Sequence, residues 1–275
     1  MTPTLARHPR THRTDGRARD WAEIQERMLV PLYEAVHERL EVGPRTRLLG
    51  IGCGSGLALL MASARGAAVT GCDPDERRLE LARQRLLPEP QWGVPARPHG
   101  RTRLVPGGPE RVSGPDAAPF TMITALDPGT APAALVPALR AAAGLAERGS
   151  PVVLAGWGPP ERCATERVLR VAARLAEPRG AAAPVRLSGR DDLEELARGA
   201  GLRPDGSGRV SCPFGYPDMD SAVRGLVSTG LFDAAVDATD EDQVRKELRE
   251  ALHAYRRADG TVRMENVFRY LVARV

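Results

Sequence analysis

The sequence predicts an α/β protein built on a mostly parallel sheet, and three observations carry that expectation. Residues 46–87 alternate strand, helix, strand, helix in the stretches "TRLLGI", "SGLALLMASARG", "AAVTGCD" and "DERRLELARQRLL". Parallel neighbours need a crossover of this kind, and such units are nearly always right-handed. A glycine-rich turn, "GIGCGSG", joins the first strand to the first helix, with glycines at Gly52, Gly54 and Gly56. An acid, Asp73, then closes the second strand.

Elements before and after this unit follow the same logic. Residues 19–42 have helical periodicity in two pieces, with Pro31 fitting the first turn of the second. Pro74 is expected to open the helix after Asp73. From Pro88 to Pro119 the chain is rich in Pro and Gly, which predicts loops around one short strand, "RTRLV". "FTMITAL" and "SPVVLAGW" read as further strands, and "PAALVPALRAAAGL", "ATERVLRVAARLA" and "GRDDLEELARGAGL" as helices. "SGRVSCPFGY" reads as a strand, followed by two helices in "DMDSAVRGLVSTG" and "DEDQVRKELREALHAYRR". The last stretch, "TVRMENVFRYLVARV", is strand-like around a short break.

The chain has 275 residues, of which 42% are apolar, an ordinary figure for a globular core. Only 4% are aromatic, so Ala, Leu and Val must build most of that core. No apolar run is long enough to span a membrane. Residues 1–18 are basic and lack the apolar stretch of a secretory signal, so the expectation is a flexible tail on a cytoplasmic protein. Residues 19–275 then form a single domain. The net charge of +4 is almost wholly arginine, with Lys246 the single lysine. These arginines alternate with acids along helices, the pattern of solvated faces with i,i+4 pairs rather than of a nucleic-acid surface. The four cysteines, Cys53, Cys72, Cys163 and Cys212, form no CxxC pair and have no histidine at zinc spacing. They therefore predict neither a metal site nor a disulfide framework.

Glycine in the turn permits positive φ and close approach of a ligand to the backbone, while the helix behind it offers N–H groups. A carboxylate at Asp73 can accept hydrogen bonds from both hydroxyls of a ribose. A dinucleotide fingerprint would need a small residue at position 57, where Leu57 stands, which weakens the alternative of a nicotinamide-dependent oxidoreductase.

In these motifs the chain resembles class I S-adenosylmethionine-dependent methyltransferases. The likeness rests on "RDWAEIQERM", "TRLLGIGCGSG", "VTGCDPDERRLELAR", "VVLAGWGPPERC", "CPFGYPDMDSAVRGLVSTG" and "ENVFRYLVARV". The resemblance implies a Rossmann-like methyltransferase fold: seven strands, an antiparallel C-terminal hairpin and a helical cover. It implies S-adenosyl-L-methionine as cofactor, held by Trp21, Gln25, Gly52, Cys53, Gly54, Gly56, Asp73, Pro74, Ala125 and Leu126. Residues 19–160 would carry that half, and residues 161–275 the acceptor side with Trp157 and Tyr216 as pocket walls. The implied reaction is methyl transfer to a small molecule, in specialised metabolism.

Three departures mark the pattern. Gly50 stands where the family usually has an acid that orients the methionine end of the cofactor. Pro106, Gly107 and Gly108 stand where an acid usually holds the adenine, and Asp116, farther on, could substitute only by a loop excursion. Asp127 stands where the related sequences carry Asn, and is the candidate catalytic base if burial raises its pKa, against the simpler reading of a turn-forming Asp before Pro. His99 lies in a loop and is a second, weaker candidate. The departures motivate an alternative, a methyltransferase-like protein of weakened or absent turnover acting as a sensor, scaffold or regulator. Methylation of nucleic acid is disfavoured because "LDPG" lacks the aromatic that would stack on a base.

Overall fold

The strands β1 (Arg47–Ile51), β2 (Ala68–Asp73), β3 (Thr102–Pro106), β4 (Met122–Ala125), β5 (Pro151–Trp157), β6 (Arg203–Ser211) and β9 (Val267–Arg274) form one sheet. Their order is β3-β2-β1-β4-β5-β9-β6. The computed structural model describes residues 16–87, 102–112, 118–127, 129, 130, 132–177 and 187–275. His99, Asp116, residues 1–15 of the tail and most of the Pro/Gly-rich loops lie outside them.

The first five strands are parallel, as the strand–helix rhythm predicts. Strand β9 runs antiparallel to both β5 and β6. The expected C-terminal hairpin is therefore present as a pair, but its two strands are separated by a long insertion. A second, two-stranded sheet of β7 (Phe214–Tyr216) and β8 (Val262–Met264) closes the base of that insertion. The predicted strand "SGRVSCPFGY" thus divides between the two sheets, with Cys212 and Pro213 at the crossing. Asn266, fully buried in the break before β9, accepts from the backbone N–H and the hydroxyl of Thr165 at 3.1 and 2.8 Å.

Burial on both faces follows from residue alternation. Leu48, Val69, Met122 and Val153 face one core, while Leu49, Cys72, Ile123, Val152 and Leu154 face the other. The first core is covered by α1 (Val30–Arg39) and α2 (Leu57–Ala64) through Leu32, Val36, Leu59 and Ala62. The helix α3 (Glu76–Leu86) follows β2. It is capped by Asp75, whose carboxylate accepts from the N–H groups of Arg77 and Arg78. Pro74, the residue expected to open this helix, is exposed ahead of the cap. An Asx cap satisfies two terminal N–H groups, which proline does not. The second core is covered by α4 (Pro132–Ala143) and, after α5 (Thr165–Ala176), by α6 (Asp192–Gly199).

The insertion carries α7 (Met219–Ser228), α8 (Asp233–Ala238) and α9 (Glu241–Leu252). The short α8 was not expected from periodicity, because six residues are too few to display it. Helix α7 lies against Trp21–Gln25, a π-helical turn that leads into a 3-10 turn at Glu26–Leu29 and then into α1. Contact is close: a side chain at Gly225 would meet Ile24 Cγ2 at 2.9 Å and Gln25 Oε1 at 3.1 Å. Residues 16–18 were expected to belong to a loose tail, and here the structure differs. They are helical, Ala18 is buried, and Arg17 donates to Val227 O at 3.1 Å and pairs with Asp233. Packing against the cover helices, invisible in a local reading of a basic segment, fixes them.

Candidate active site

Strand order reverses between β1 and β4, and the crevice at their carboxyl ends is where open α/β sheets bind ligands. Here β1 runs into the glycine turn. Gly52, Gly54 and Gly56 all have positive φ, of 60°, 56° and 79°. Their surroundings differ. At Gly56 an added Cβ would meet Ala82 Cβ and Leu86 Cδ1 at 3.0 Å each, so this glycine serves the packing of α3. At Gly54 the Cβ would instead meet Glu26 Oε1 at 3.2 Å and Trp21 Nε1 at 3.3 Å. The backbone N–H of Gly54 donates to Asp73 Oδ2 at 2.8 Å, and the N–H of Asp75 donates to Oδ1 at 2.8 Å. Gly54 therefore sits in a cradle of two acids and an indole N–H.

Glu26, Ser55 and Arg85 complete this cradle, and the sequence reading did not single them out. Glu26 is buried in the 3-10 turn; its Oε2 accepts from the Ser55 hydroxyl and from Arg85 Nη1, the latter at 2.7 Å. Arg85 also donates to Ser55 Oγ at 2.8 Å. Burial raises the Glu26 pKa against the pull of these partners. Burial likewise raises that of Asp73, opposed by the N–H groups of Asp75 and Gly54. Cys53 and Cys72 are raised by burial first and by Asp73 second, Cys72 to about 12, so both remain thiols. The indole Nε1 of Trp21 is buried and has no partner among the described residues.

Arg78 lies against the Trp21 ring. Its guanidinium stands 4.5 Å from the Trp21 ring centroid, pairs with Asp127 Oδ2 at 3.3 Å and donates to Ser228 O at 3.4 Å. One arginine thus joins α3, the π turn, the end of β4 and the end of α7. Asp127 uses its other oxygen to accept from Gly129 N–H at 2.8 Å, the turn geometry of the simpler sequence reading. With one oxygen in a turn and the other on a cation, it is held as an ion-pair partner rather than as a free base.

Two small cavities meet at Trp21 and Asp127. The first is lined by Gly50, Gly52, Cys53, Gly54, Thr124 and Leu126 with Glu26 and Tyr33. The second is lined by Gln25, Trp157, Phe214, Thr229, Leu231 and Phe268. Each is narrow, with room for little more than one water. Of the predicted residues, Trp21, Gly52, Cys53, Gly54 and Leu126 line the first cavity, and Gln25 and Trp157 the second. Asp73 lies beneath the glycine turn. Ala125 faces the opposite core, because alternation along β4 turns Thr124 and Leu126 inward instead. Tyr216 is buried and donates to Gln25 Oε1 at 2.9 Å, so it positions a wall residue and does not form the wall.

Just past the residues that stand in place of the acid after β3 lies Glu110. Glu110, in the 3-10 turn Pro109–Arg111, accepts from Gly108 N–H at 3.1 Å and is exposed. The signal was present in "PGGPER", two residues past Gly108. Among the described residues, no cluster of His, Cys, Asp and Glu could hold a metal ion, and no helix is long and apolar enough to cross a membrane.

The sheet order, the glycine turn and the strand-end acid together define a class I methyltransferase fold. Residues 49–107 match the family described as "Methyltransferase domain". Among solved structures, the chain is similar to a putative methyltransferase from Bacillus halodurans, at 13% identity, covering 88% of this chain and 97% of that one with a TM-score of 0.55. It is also similar to YcgJ from Bacillus subtilis, at 18% identity, 88% and 98% coverage and a TM-score of 0.53. YjhP from Escherichia coli gives 18% identity, 95% and 100% coverage and a TM-score of 0.53. No curated protein matches the chain.

Proposed function

We propose that this protein binds S-adenosyl-L-methionine and transfers its methyl group to a small-molecule acceptor, in specialised metabolism and in the cytoplasm. The observation that carries the proposal is the cradle at Gly54. A free indole N–H, two buried carboxylates and a backbone bent into positive φ meet where a side chain would be strained. Such a cradle suits a ligand that carries both hydrogen-bond donors and an acceptor oxygen. Trp21 would donate to the cofactor, Asp73 would accept from its ribose hydroxyls, and Glu26 would face its cationic end in place of the acid absent at Gly50. Glu110 would stand on the adenine side. Bound there, the cofactor supplies an electrophilic methyl group. The chain's part is to align the acceptor and exclude water, which can supply much of the rate without a dedicated base. Residues 19–160 would form the cofactor half and residues 161–275 the acceptor half.

The closed cleft favours a second reading, a protein that binds the cofactor with little or no turnover. Both readings require the Trp21–Gln25 turn to move before a nucleoside enters. Calorimetry with S-adenosylmethionine, S-adenosylhomocysteine and NAD tests the pair. One-site binding of the first two and none of NAD is expected. Absent binding of both at millimolar concentration would overturn the proposal, and binding without methyl release in the presence of an acceptor library would leave the second reading.

A further inference from the structure

We infer that Arg78 is the latch of a gate between the two cavities, and that ligand entry requires its ion pair with Asp127 to break. The inference rests on the proposed function only for the ligand that enters. Among the described residues, Trp21 and Asp127 are the two that line both cavities, so they form the partition between them. Arg78 holds both members of that partition. Its guanidinium stands 4.5 Å from the centroid of the Trp21 ring, and its Nη1 lies 3.3 Å from Asp127 Oδ2. Its Nη2 adds a third tie, donating to Ser228 O at the end of α7 at 3.4 Å. Neither cavity alone has room for a nucleoside. Parting Trp21 from Asp127 would join them into one cleft, from the glycine turn at Gly52 to Phe268.

The latch is built to let go. A ring contact, a partly buried ion pair and a long hydrogen bond to a carbonyl are each modest ties. Release strands no charge on Arg78, because Asp75 Oδ2, in the cap of its own helix, lies 3.7 Å from its Nε. Asp127 keeps the hydrogen bond from Gly129 N–H. Trp21 sits in a π-helical turn, a rare geometry that recurs at functional sites. Its indole N–H is buried without a partner among the described residues, and an unmade donor is a cost borne by the closed state alone. The same turn is tied separately by Arg85, which donates to Ala22 O at 3.3 Å and to Glu26 at 2.7 Å. The turn therefore keeps a tether when Arg78 releases Trp21. Asp127, one of the three departures in the motifs, thus supplies the charge that the latch needs.

The test uses the full chain carrying Asp127→Asn, which keeps an oxygen for Gly129 N–H and removes the charge. Exchange of indole N–H groups into deuterated water is followed in ¹⁵N–¹H spectra. The three tryptophans give three signals, assigned with Trp92→Phe and Trp157→Phe. In the variant the Trp21 signal should exchange about fivefold faster, the effect of losing one partly buried ion pair, and the Trp157 signal should not change. S-adenosylhomocysteine association, by stopped-flow fluorescence, should rise by the same factor, because binding to a rarely open state scales with the open fraction. Arg78→Met keeps an apolar stem against the Trp21 ring and should act likewise; it decides if Asp127→Asn fails to fold. An unchanged Trp21 rate, or equal acceleration of Trp21 and Trp157 through general loosening, would overturn the latch. Faster Trp21 exchange with unchanged association would overturn the gate. If no form of the protein binds S-adenosylhomocysteine, faster Trp21 exchange keeps the latch and the cofactor reading fails. Binding with unchanged Trp21 exchange does the reverse.

Discussion

Gly50 and Gly54 stand four residues apart in one motif, and their surroundings are opposite. A side chain at Gly50 would press on Leu59 Cδ2 at 3.0 Å and Cys53 Cβ at 3.7 Å. Its partner across the sheet is another glycine, Gly71, whose Cβ would meet the same Leu59 and Cys53. At Gly54 the neighbours are a carboxylate and an indole N–H. The difference teaches that the acid missing at position 50 has left no polar vacancy, because apolar side chains fill its place. A carboxylate reaches the turn from elsewhere, on Glu26, whose Oε1 lies 3.2 Å from the Cβ position of Gly54.

The largest test of this contrast is Glu26→Ala. It leaves Arg85, whose side chain is 22% exposed, beside a buried cavity without its carboxylate. Breaking a buried pair this way should cost about 3 kcal/mol in a urea melt. A loss under about 0.5 kcal/mol would make Glu26 a surface-like partner and dissolve the comparison. Gly54→Ala comes next. Its positive φ and the two polar contacts should cost about 2 kcal/mol and abolish S-adenosylhomocysteine binding measured by calorimetry. Gly50→Asp restores the family's residue and should nevertheless lower stability by about 1.5 kcal/mol through overpacking on Leu59. It should change ligand affinity by less than about threefold. A tenfold gain would mean that position 50 had been waiting for its acid. Smallest is Arg78→Ala, which removes a ring contact and a partly buried ion pair and should cost about 1 kcal/mol. Because Arg78 holds Trp21 to Asp127 and Ser228, the same variant should speed ligand association in stopped-flow fluorescence.

What could be read in the sequence divides along the same line. Period-two burial in Leu48 and Leu49, glycines at alternate positions and an acid at a strand end are local signals, so β1, the turn, β2 and Asp73 were all legible. The wrap of Glu26, Arg85 and Ser55 was not. Its partners lie 29 and 59 residues apart in the chain, and each alone looks like an ordinary helical Glu, Arg or Ser. Arg78 lies within an alternating charge pattern, and local pairing hides its reach to Asp127 and Ser228. Ala125 was assigned to the pocket with Leu126, although alternation within β4 places neighbours on opposite faces. The Cys212–Asn266 insertion was seen as helices and a broken strand, but only pairing of β7 with β8 reveals that it closes on itself.

The central claim is that Gly54, Trp21 and Glu26 form a closed cofactor cradle that opens at the π turn. A crystal structure of the full chain with S-adenosylhomocysteine tests it most directly. The account predicts ligand density along Gly52–Gly54, the Trp21 indole N–H donating to the ligand, and the Trp21–Gln25 turn displaced. Density elsewhere on the sheet, or an unchanged turn with the ligand absent at saturating concentration, would contradict it.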